Sequence, residues 1–387
     1  MRTSLLARAG LALASSAIGL VCVEGALRGV SSPVNFLMPT RVHDEALGSR
    51  VQAGSAGHDR WGFRNASVPE RVEIVAIGDS QTYGVSATMT GSWPHQLAEL
   101  ADRSVYNLSL GGFGPLQYLY LLRERAVALR PRTVIVALYL GNDLADAYTS
   151  AHTLEYWSAY RQTSESRPFA GRGPRRGRAG DRVLGAWRDW LSRHSVLYRR
   201  LTLGLVGPFR FWDLKYLQRD PSVALMEDPL HGISTGLTPQ TRLAALDTAD
   251  ARVAEGLEIT RRALREMAGF ARERGLALLV VILPTKESVL AEHFDHSRLT
   301  HARGLARQLE MEQRAARSLE AWLRDLGVPA LSPLRALRRA SFERQIYPTN
   351  RDGHPNAAGY RVIARQVAAA LDRLHFAPQG ERGEAPR

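Results

Sequence analysis

The chain has 387 residues, of which 45% are hydrophobic, enough for a sizeable core in one large domain with insertions or in two small ones. Its 51 Lys and Arg residues outnumber its 38 Asp and Glu residues, and the net charge is +13. This excess is compatible with an arginine-rich solvated surface, or with nucleic acid, anionic lipid or an anionic polymer as partner. Because the sequence has no paired zinc ligands and no aromatic-basic strand motif, we expect no nucleic-acid partner.

The N-terminus has the pattern of a targeting segment. Arg2 and Arg8 precede an uncharged, mostly apolar run over residues 9–23, which Glu24 closes. A charged start followed by such a run is typical of a signal peptide or signal anchor. Since no small-x-small cleavage site follows, we interpret residues 1–30 as an uncleaved anchor of the inner (cytoplasmic) membrane, with the rest of the chain extracytoplasmic, in the periplasm. The alternatives are a cleaved signal peptide, which would make the protein secreted, and a buried helix of a soluble domain.

The rest of the chain predicts an α/β domain. Residues 31–70 are polar and aperiodic and are interpreted as a linker and entry segment, residues 71–376 as the main domain, and residues 377–387 as a disordered tail. Buried strands are predicted over 72–77, 105–108, 133–140, 276–283 and 328–331, and helices over 93–101, 115–129, 243–274, 305–326 and 357–374. This alternation predicts a three-layer α/β/α sandwich with a mostly parallel sheet. The reactive groups of such a sheet lie beyond the carboxyl ends of the strands.

Between about residues 150 and 240 the alternation breaks down, which predicts an inserted helical and irregular subdomain. An Arg/Gly low-complexity segment over 172–182 is followed by aromatic residues, namely Trp187, Trp190, Tyr198, Phe209, Phe211 and Trp212. This composition suits an anionic or glycan substrate, or contact with a membrane surface. It equally suits a satellite core with a disordered loop.

Two of the four segments that can carry chemistry follow the first two strands. Ser80, in the segment 78–84, lies at a strand-to-helix turn, where a serine can act as a nucleophile or cap a helix. Gly112 belongs to the glycine-rich segment 107–114, whose backbone can turn sharply and present N–H groups to an oxyanion. A glycine-rich turn without a ligand is the alternative for this second segment.

The other two segments supply an amide and an acid–base pair. Asn142, after the most strongly predicted strand, can donate its side-chain NH2 into the same crevice or cap a helix. Asp352 lies two residues before His354, and a carboxylate there can fix the imidazole tautomer and stabilise its protonated form. A metal pair and a helix-capping aspartate are the alternatives. Since no further cluster of His, Asp and Glu supplies obvious ligands, we expect neither a metal nor another cofactor.

Taken together, the four segments resemble the SGNH branch of the GDSL hydrolases, whose motifs carry a serine, a glycine, an asparagine and a histidine in this order. The resemblance implies that Ser80 is the nucleophile, His354 the base and Asp352 the orienting acid. It also implies an oxyanion hole that is formed by the N–H groups of Ser80 and Gly112 and by the side chain of Asn142. The expected fold is the α/β sandwich described above.

This resemblance covers roughly residues 59–150 and 255–371. The departures are Gln81 in place of a leucine, Ser109 where many members have a glycine, and the absence of a residue between Gly141 and Asn142. Asp352 and His354 are separated by one residue rather than two, which is similar to membrane-bound or periplasmic polysaccharide O-acetyltransferases. A Pro-x-Lys element ending at Lys286 is similar to the same branch, so Lys286 is a candidate substrate-binding residue.

One competing motif is present. The segment 232–236 reads Gly-Ile-Ser-Thr-Gly and matches the nucleophile elbow of α/β-hydrolases, with Ser234 at its centre. The elbow requires a buried strand before the serine and a helix directly after it. Charged residues and prolines flank the segment instead, so we interpret it as a loop.

These residues predict a serine-dependent ester hydrolase of the SGNH/GDSL type that acts on acyl esters in the cell envelope. The expected substrate is an acylated small molecule, lipid or glycan, and the N-terminal helix is expected to contact the membrane. An O-acyltransferase or O-acetyltransferase that modifies an extracytoplasmic polysaccharide is the first alternative. A catalytically inactive glycan-binding protein is the second.

Overall fold

The structure, a computed structural model, describes residues 2–163, 169, 182–205 and 222–376. The predicted Arg/Gly segment up to residue 181, the aromatic residues Phe209, Phe211 and Trp212, and the predicted tail over 377–387 lie outside the described residues.

The helices and strands are numbered in chain order. The α-helices are α1 (Arg2–Val30), α2 (Ser80–Tyr83), α3 (Trp93–Ala101), α4 (Pro115–Glu124), α5 (Asp143–Thr153), α6 (Arg182–His194), α7 (Val196–Leu205), α8 (Pro239–Leu246), α9 (Ala251–Glu273), α10 (Lys286–Val289), α11 (Leu305–Asp325), α12 (Leu334–Glu343) and α13 (Ala357–Phe376). The strands are β1 (Arg41–Asp44), β2 (Gly48–Val51), β3 (Ile74–Gly78), β4 (Val105–Ser109), β5 (Thr133–Tyr139), β6 (Ala224–Asp228), β7 (Ile233–Leu237), β8 (Ala277–Leu283), β9 (Arg298–Thr300) and β10 (Ala330–Leu331). Short 3-10 helices lie at Pro33–Asn35, Ser55–Gly57, Ala126–Leu129, Glu155–Tyr160 and Ala291–His296.

A five-stranded sheet in the order β10-β8-β5-β3-β4 forms the centre of the domain, and its strand pairs are parallel. Strand β3 pairs with β4 from Ile74 opposite Val105 to Gly78 opposite Ser109. Every residue of β3 and β5 is buried. Strands that helices cover on both faces need apolar side chains on both sides, which is why these strands appear in the sequence as continuous apolar runs. The predicted parallel α/β sandwich is confirmed.

Helices cover both faces of this sheet and form two cores. Helices α4, α5, α9 and α11 pack on one face, and α3, α12 and α13 pack on the other. The residues of β3 and β5 that face the first core are Val75, Ile77, Val134, Val136 and Leu138, and those that face the second are Ile74, Ala76, Ile135, Ala137 and Tyr139. Because successive side chains of a strand point to opposite faces, the same two strands supply both cores.

The segment 31–70, predicted as a linker, is folded onto the domain. Strands β1 and β2 form an antiparallel hairpin in which Arg41 lies opposite the buried Val51. The Trp157 indole N–H donates to the Ala46 carbonyl at 2.7 Å, which ties the hairpin to the main domain. Such short strands with few buried side chains leave no clear periodicity in the sequence, which is why this segment was predicted only as a linker and entry segment.

The predicted insertion contains the helices α6 and α7 and then the strands β6 and β7. Strand β6 also pairs with β9, with Leu225 opposite Thr300, so a second sheet forms in the order β7-β6-β9. Both pairings are antiparallel. The insertion is therefore completed by a strand from much further along the chain, a pairing that no local pattern indicates. The boundaries proposed for the insertion and for the main domain stay predictions.

One predicted helix is interrupted, and another ends earlier than expected. The helix predicted over 243–274 is two helices, α8 and α9, because Asp250 caps α9 by accepting a hydrogen bond from the Arg252 N–H at 2.9 Å. The helix predicted over 115–129 ends as an α-helix at Glu124 and is followed by a 3-10 turn.

The helix α1 is apolar and uncovered. Its segment Gly10–Val30 has 21 residues and a mean hydropathy of 1.8, and none of it is buried in the structure. A helix of this length and composition suits either a signal anchor or a signal sequence.

Close packing between α9 and α5 provides a test of the fold. A Cβ atom on Gly256 would lie 2.0 Å from the Leu144 carbonyl oxygen. We expect Gly256→Ala to lower the free energy of unfolding by about 1–3 kcal/mol, since overpacking displaces neighbouring backbone. Denaturant unfolding of the full chain in detergent measures this change.

Gly269 on the same helix is the matched control. A Cβ atom there meets no atom within 4 Å, so Gly269→Ala should raise the free energy of unfolding by up to about 1 kcal/mol through helix propensity. Equal effects of the two substitutions would contradict the close approach of α9 to α5.

Candidate active site

Ser80 lies at the carboxyl end of β3, where the chain turns directly into the short helix α2. Asp79 caps this turn, and its carboxylate accepts a hydrogen bond from the Gln81 N–H at 2.8 Å. The helix ends at Gly84, whose φ of +83° is a left-handed conformation that favours glycine. This sharp turn holds the half-buried Ser80 side chain at the edge of the sheet.

The predicted nucleophile, base and acid lie in one hydrogen-bonded line. His354 Nε2 is 2.7 Å from Ser80 Oγ. On the other side of the ring, His354 Nδ1 forms a hydrogen bond with Asp352 Oδ1, and the His354 backbone N–H donates to the same oxygen at 3.1 Å. The structure therefore brings together three residues that come from opposite ends of the domain sequence.

Several hydrogen bonds hold the Asp352 side chain in its ionised form. Its second carboxylate oxygen accepts a hydrogen bond from the Ser86 hydroxyl. Burial acts to raise the pKa of Asp352, but the hydrogen bonds and charge of His354, together with the Ser86 hydroxyl, outweigh it and hold this pKa well below its usual range. An ionised carboxylate keeps the proton of a neutral imidazole on Nδ1 and leaves Nε2 able to accept another.

The two other predicted segments lie beside Ser80. A Cβ atom on Gly111 would be 3.3 Å from Ser80 Cβ, and the next residue, Gly112, has a φ of +91° with open space around it. Asn142 caps the start of α5, and its side-chain NH2 donates to Asp79 Oδ2 at 3.4 Å. The strand order places these segments together, because β4 and β5 are the two neighbours of β3.

Asp79 is a buried carboxylate beneath this arrangement. Its Oδ2 atom lies 3.3 Å from Ser80 Oγ and accepts a hydrogen bond from the Asn142 side chain at 3.4 Å. Burial raises the pKa of Asp79, while the Gln81 N–H and the charge of His354 act in the opposite direction. Asp79 therefore fixes where the Asn142 amide lies relative to Ser80.

Lys286, predicted as a substrate-binding residue, is buried behind the acid–base loop instead. Its ammonium donates to the Asp352 carbonyl at 2.8 Å, to the Asn350 carbonyl at 2.9 Å and to Thr235 Oγ1 at 3.2 Å. These three acceptors use the three donors of the ammonium. In this structure Lys286 positions the loop over 350–354 and leaves no donor for a substrate.

Three further residues, which the sequence did not indicate, hold parts of the candidate active site in place. Gln81, noted only as a departure from leucine, donates from its side chain to the Gly353 carbonyl at 3.3 Å and so links the nucleophile turn to the acid–base loop. Ser86 holds Asp352. Arg41, from the hairpin that was interpreted as a linker, donates to the Gly111 carbonyl at 3.0 Å. Of these, only the unusual Gln81 was a signal that sequence reasoning could have followed.

The competing serine motif lies away from this arrangement. Ser234 belongs to β7 and lies opposite Glu227 of β6 in an antiparallel hairpin. Gly232 has a φ of +66° in the turn before β7. The strand-turn-helix geometry of a nucleophile elbow is absent at this motif, as the flanking residues predicted. The interpretation of the segment as a loop was wrong, because Ile233–Leu237 form β7.

One cluster of potential metal ligands exists among the described residues, and the sequence did not indicate it because one of its members is far from the other two along the chain. Asp228, His231 and His293 offer ligand atoms that all lie within 4.8 Å of one another. Asp228 Oδ2 is 2.7 Å from Nδ1 of each histidine, and Oδ1 accepts the Leu230 and His231 N–H groups. These hydrogen bonds satisfy the carboxylate with protein groups alone.

The fold and the site define a class of protein, an α/β sandwich with a serine–histidine–aspartate arrangement at the carboxyl edge of its parallel sheet. A family model described as "SGNH hydrolase-like domain, acetyltransferase AlgX" matches residues 243–385, which include Lys286, Asp352 and His354. The C-terminal part of the chain, residues 243–385, is thus similar to an SGNH hydrolase-like domain. Among curated protein sequences, no match is found.

Solved structures with a similar fold include esterases at low sequence identity. A G-D-S-L family protein from Desulfitobacterium hafniense is 12% identical, with 78% of this chain and 100% of that chain covered and a TM-score of 0.40. An acetylxylan esterase from Geobacillus stearothermophilus is 9% identical, with 79% and 95% covered and a TM-score of 0.37. A phospholipase A1 from Streptomyces albidoflavus is 13% identical, with 79% and 98% covered and a TM-score of 0.37. At such identities and TM-scores these likenesses bear on neither activity nor substrate.

The buried ammonium of Lys286 gives a prediction for pH dependence. Burial lowers the pKa of Lys286 to about 8, although Glu287 and Asp352 act to raise it. The ordinary lysine pKa is near 10.4, so between pH 8 and 10.4 Lys286 is more often protonated in the unfolded chain than in the folded one. The contribution of Lys286 to the free energy of unfolding therefore rises with pH in this range. Between pH 8 and 10 its contribution should grow by about 2 kcal/mol.

Lys286→Met removes this contribution. We expect the difference in free energy of unfolding between the wild type and this variant to increase, in favour of the wild type, from pH 8 to pH 10. Denaturant titrations at the two pH values measure it. Parallel pH profiles for the two proteins would show that the ammonium is not buried as described.

Proposed function

We propose that this chain is a serine-dependent ester hydrolase that acts on acyl esters outside the cytoplasm through a covalent intermediate on Ser80. The observation that supports the proposal most directly is the line from Asp352 through His354 to Ser80, with 2.7 Å between His354 Nε2 and Ser80 Oγ. A serine hydroxyl becomes a useful nucleophile when a positioned base takes its proton and a third group orients that base.

In the first half of the reaction Ser80 is acylated. His354 Nε2 takes the hydroxyl proton while Ser80 Oγ attacks the ester carbonyl carbon, and Asp352 stabilises the imidazolium that forms. The oxyanion faces the N–H groups of Ser80 and Gly112 and the Asn142 side chain. When the tetrahedral intermediate collapses, His354 returns the proton to the leaving alkoxide, and the acyl group stays on Ser80.

In the second half a water molecule releases the acyl group. His354 takes a proton from this water, whose oxygen attacks the acyl carbon, and the same donors face the second oxyanion. Collapse frees the carboxylic acid and returns the proton to Ser80. These steps use side chains and backbone N–H groups of the chain and call for no cofactor.

The contact between Asn142 and Asp79 is compatible with this role. A side-chain amide carries two N–H groups. One of them donates to Asp79 Oδ2 at 3.4 Å, which leaves the second to face the oxyanion. Asp79 thereby holds the amide beside Ser80 before a substrate arrives.

A second candidate function is transfer of the acyl group to a sugar hydroxyl. The matched family model carries the description of an acetyltransferase, and the one-residue spacing of Asp352 and His354 is similar to polysaccharide O-acetyltransferases. The acyl-Ser80 intermediate is the same in both reactions, and a sugar hydroxyl replaces water as the acceptor. A glycan of the cell envelope is the substrate class that fits this second function.

The proposed location follows from α1. An exposed apolar helix of 21 residues near the N-terminus suits an anchor in the inner membrane, with residues 31–387 on the periplasmic side. Acylated lipids and glycans of the envelope are then within reach of Ser80.

Ser80→Ala should abolish labelling by a fluorophosphonate probe and reduce turnover of p-nitrophenyl acetate to background, because the nucleophile is removed. Asn142→Ala should retain labelling but lower kcat by about 10²–10³, the usual cost of losing one oxyanion donor. Gel-based labelling and steady-state kinetics on the full chain measure both.

Ser234→Ala is the matched control, since Ser234 belongs to the competing motif, and it should label and turn over substrate as the wild type does. Loss of labelling in Ser234→Ala, or normal turnover in Ser80→Ala, would overturn the assignment. Absence of labelling in a folded wild type would favour an inactive glycan-binding protein. Adding an oligosaccharide acceptor separates the two enzymatic functions, because a transferase then forms acylated sugar in place of free acid.

Asp352→Asn should lower kcat by about 10²–10⁴, because the amide no longer stabilises the imidazolium or fixes its tautomer. It should also change acid stability. A carboxyl whose pKa is lower in the folded state stabilises the fold above its unfolded pKa of about 3.9, and this contribution is lost as the pH falls through the folded value. The free energy of unfolding should therefore fall less between pH 6 and pH 3 in the variant than in the wild type, as denaturant titrations at the two pH values measure.

A further inference from the structure

The helices α6 and α7 are docked on the C-terminal part of α1. Glu24 of α1 accepts hydrogen bonds from the Val196 and Leu197 N–H groups and from the Ser195 hydroxyl, each at 2.9 Å. The first N–H groups of a helix have no partners within it, and a carboxylate there also interacts favourably with the helix dipole. Glu24 therefore serves as an external cap for α7.

A second contact lies one turn further along α1. The Arg28 guanidinium donates to the carbonyl of His194, the last residue of α6, and pairs with Glu24 at 2.7 Å. Both charged residues within the apolar segment Gly10–Val30 are thus used to hold the junction of α6 and α7. Removal of α1 by a signal peptidase would leave α7 without this cap, which favours a retained anchor.

The position of this junction along α1 corresponds to a membrane interface. The uncharged run over 9–23 is about 22 Å long at 1.5 Å per residue, and the six residues after Glu24, up to Val30, extend the helix by about a further 9 Å. A helix that spans a bilayer with its uncharged run over 9–23 in the hydrocarbon layer has Glu24 and Arg28 at the level of the headgroups. The α6–α7 junction lies at the same level.

Two tryptophans beside this junction are unusually exposed. Trp187 and Trp190 of α6 have 62% and 52% of their surface exposed, and their ring centroids are 5.9 Å apart. Residues three apart share one face of a helix. Trp190 also stacks on His194, at the end of α6, with 5.0 Å between the ring centroids. Adjacent exposed tryptophans at the end of an anchor are typical of residues that lie at membrane–water interfaces.

Helix α6 also carries exposed positive charge, which is opposite in sign to an anionic lipid leaflet. Arg188 and Arg193 are exposed on the same helix. Guanidinium groups form strong hydrogen bonds with phosphate, and an anionic leaflet attracts basic residues near its surface. An amphipathic helix with tryptophans on one face and arginines beside them has the composition of an interfacial helix.

We propose that the face of α6 that carries Trp187 and Trp190 lies in the headgroup layer of an anionic phospholipid bilayer, beside α1 as a retained anchor. The proposal rests on the proposed location of the chain, and it is independent of the chemistry at Ser80. We expect lipid headgroups to contact this face. The experiment below distinguishes them from a glycan or a protein partner.

The test measures the depth of single labels in the full chain. A Cys22→Ser background removes the one native thiol, and an environment-sensitive NBD label is attached to Trp190→Cys or, as a matched control, to Asp189→Cys. Asp189 is exposed on the same helix, and its position around the helix axis differs by 100° from that of Trp190 and by 200° from that of Trp187. The proteins are placed in nanodiscs of phosphatidylcholine and phosphatidylglycerol that contain a headgroup nitroxide lipid as quencher.

We expect a blue-shifted emission at position 190 and several-fold stronger quenching there than at position 189. Glu24→Ala should bring the quenching at position 190 down toward that at 189, since α7 loses its cap. Equal quenching at the two positions, or a blue shift at 190 without lipid quenching, would overturn the proposal and indicate another occupant. Repeating the measurement with Ser80→Ala separates the result from the proposed reaction, because the label depth should be unchanged.

Discussion

The loop over 350–354 carries both the candidate base and the candidate acid, and a single buried ammonium group holds it in place. Lys286 donates to two carbonyls of this loop and to Thr235 of the second sheet. Burying an ammonium is unfavourable unless its donors find acceptors, so the loop and the lysine stabilise each other. The distance between His354 and Ser80 depends on this contact, because the two residues otherwise belong to separate parts of the chain.

The other side of the site depends on the order of the strands. Ser80, Gly112 and Asn142 follow β3, β4 and β5, and β3 lies between the other two strands. Parallel strands end at the same edge, so three short loops converge without any long connection. Asp79 completes the arrangement, since it accepts a hydrogen bond from Asn142 and lies 3.3 Å from Ser80 Oγ. Preorganisation of donors before a substrate binds is the property that such sites require.

The parts of the fold that the sequence predicted correctly are those with a strong local pattern. Buried strands such as β3 and β5 are continuous apolar runs, and the residues that follow them could be assigned to one sheet edge before any contact was known. The hairpin β1–β2 and the pairing of β9 with β6 could not be predicted, because their register depends on tertiary contacts. Lys286 was named for its Pro-x-Lys element, but only the structure shows that its donors face the protein interior.

The folded path between α1 and the domain has a mechanical consequence. The Met38 N–H donates to the Ser192 carbonyl of α6 at 2.9 Å, and three residues later Arg41 contacts the loop beside Ser80. Three residues span at most about 10 Å, and no slack tether separates the anchor from the catalytic face. In the membrane-anchored location that we propose, an ester hydrolase mounted in this way would work at a fixed height above the bilayer. Its encounters with membrane-borne acyl esters would then be a two-dimensional search, in which surface density, rather than bulk concentration, sets the rate.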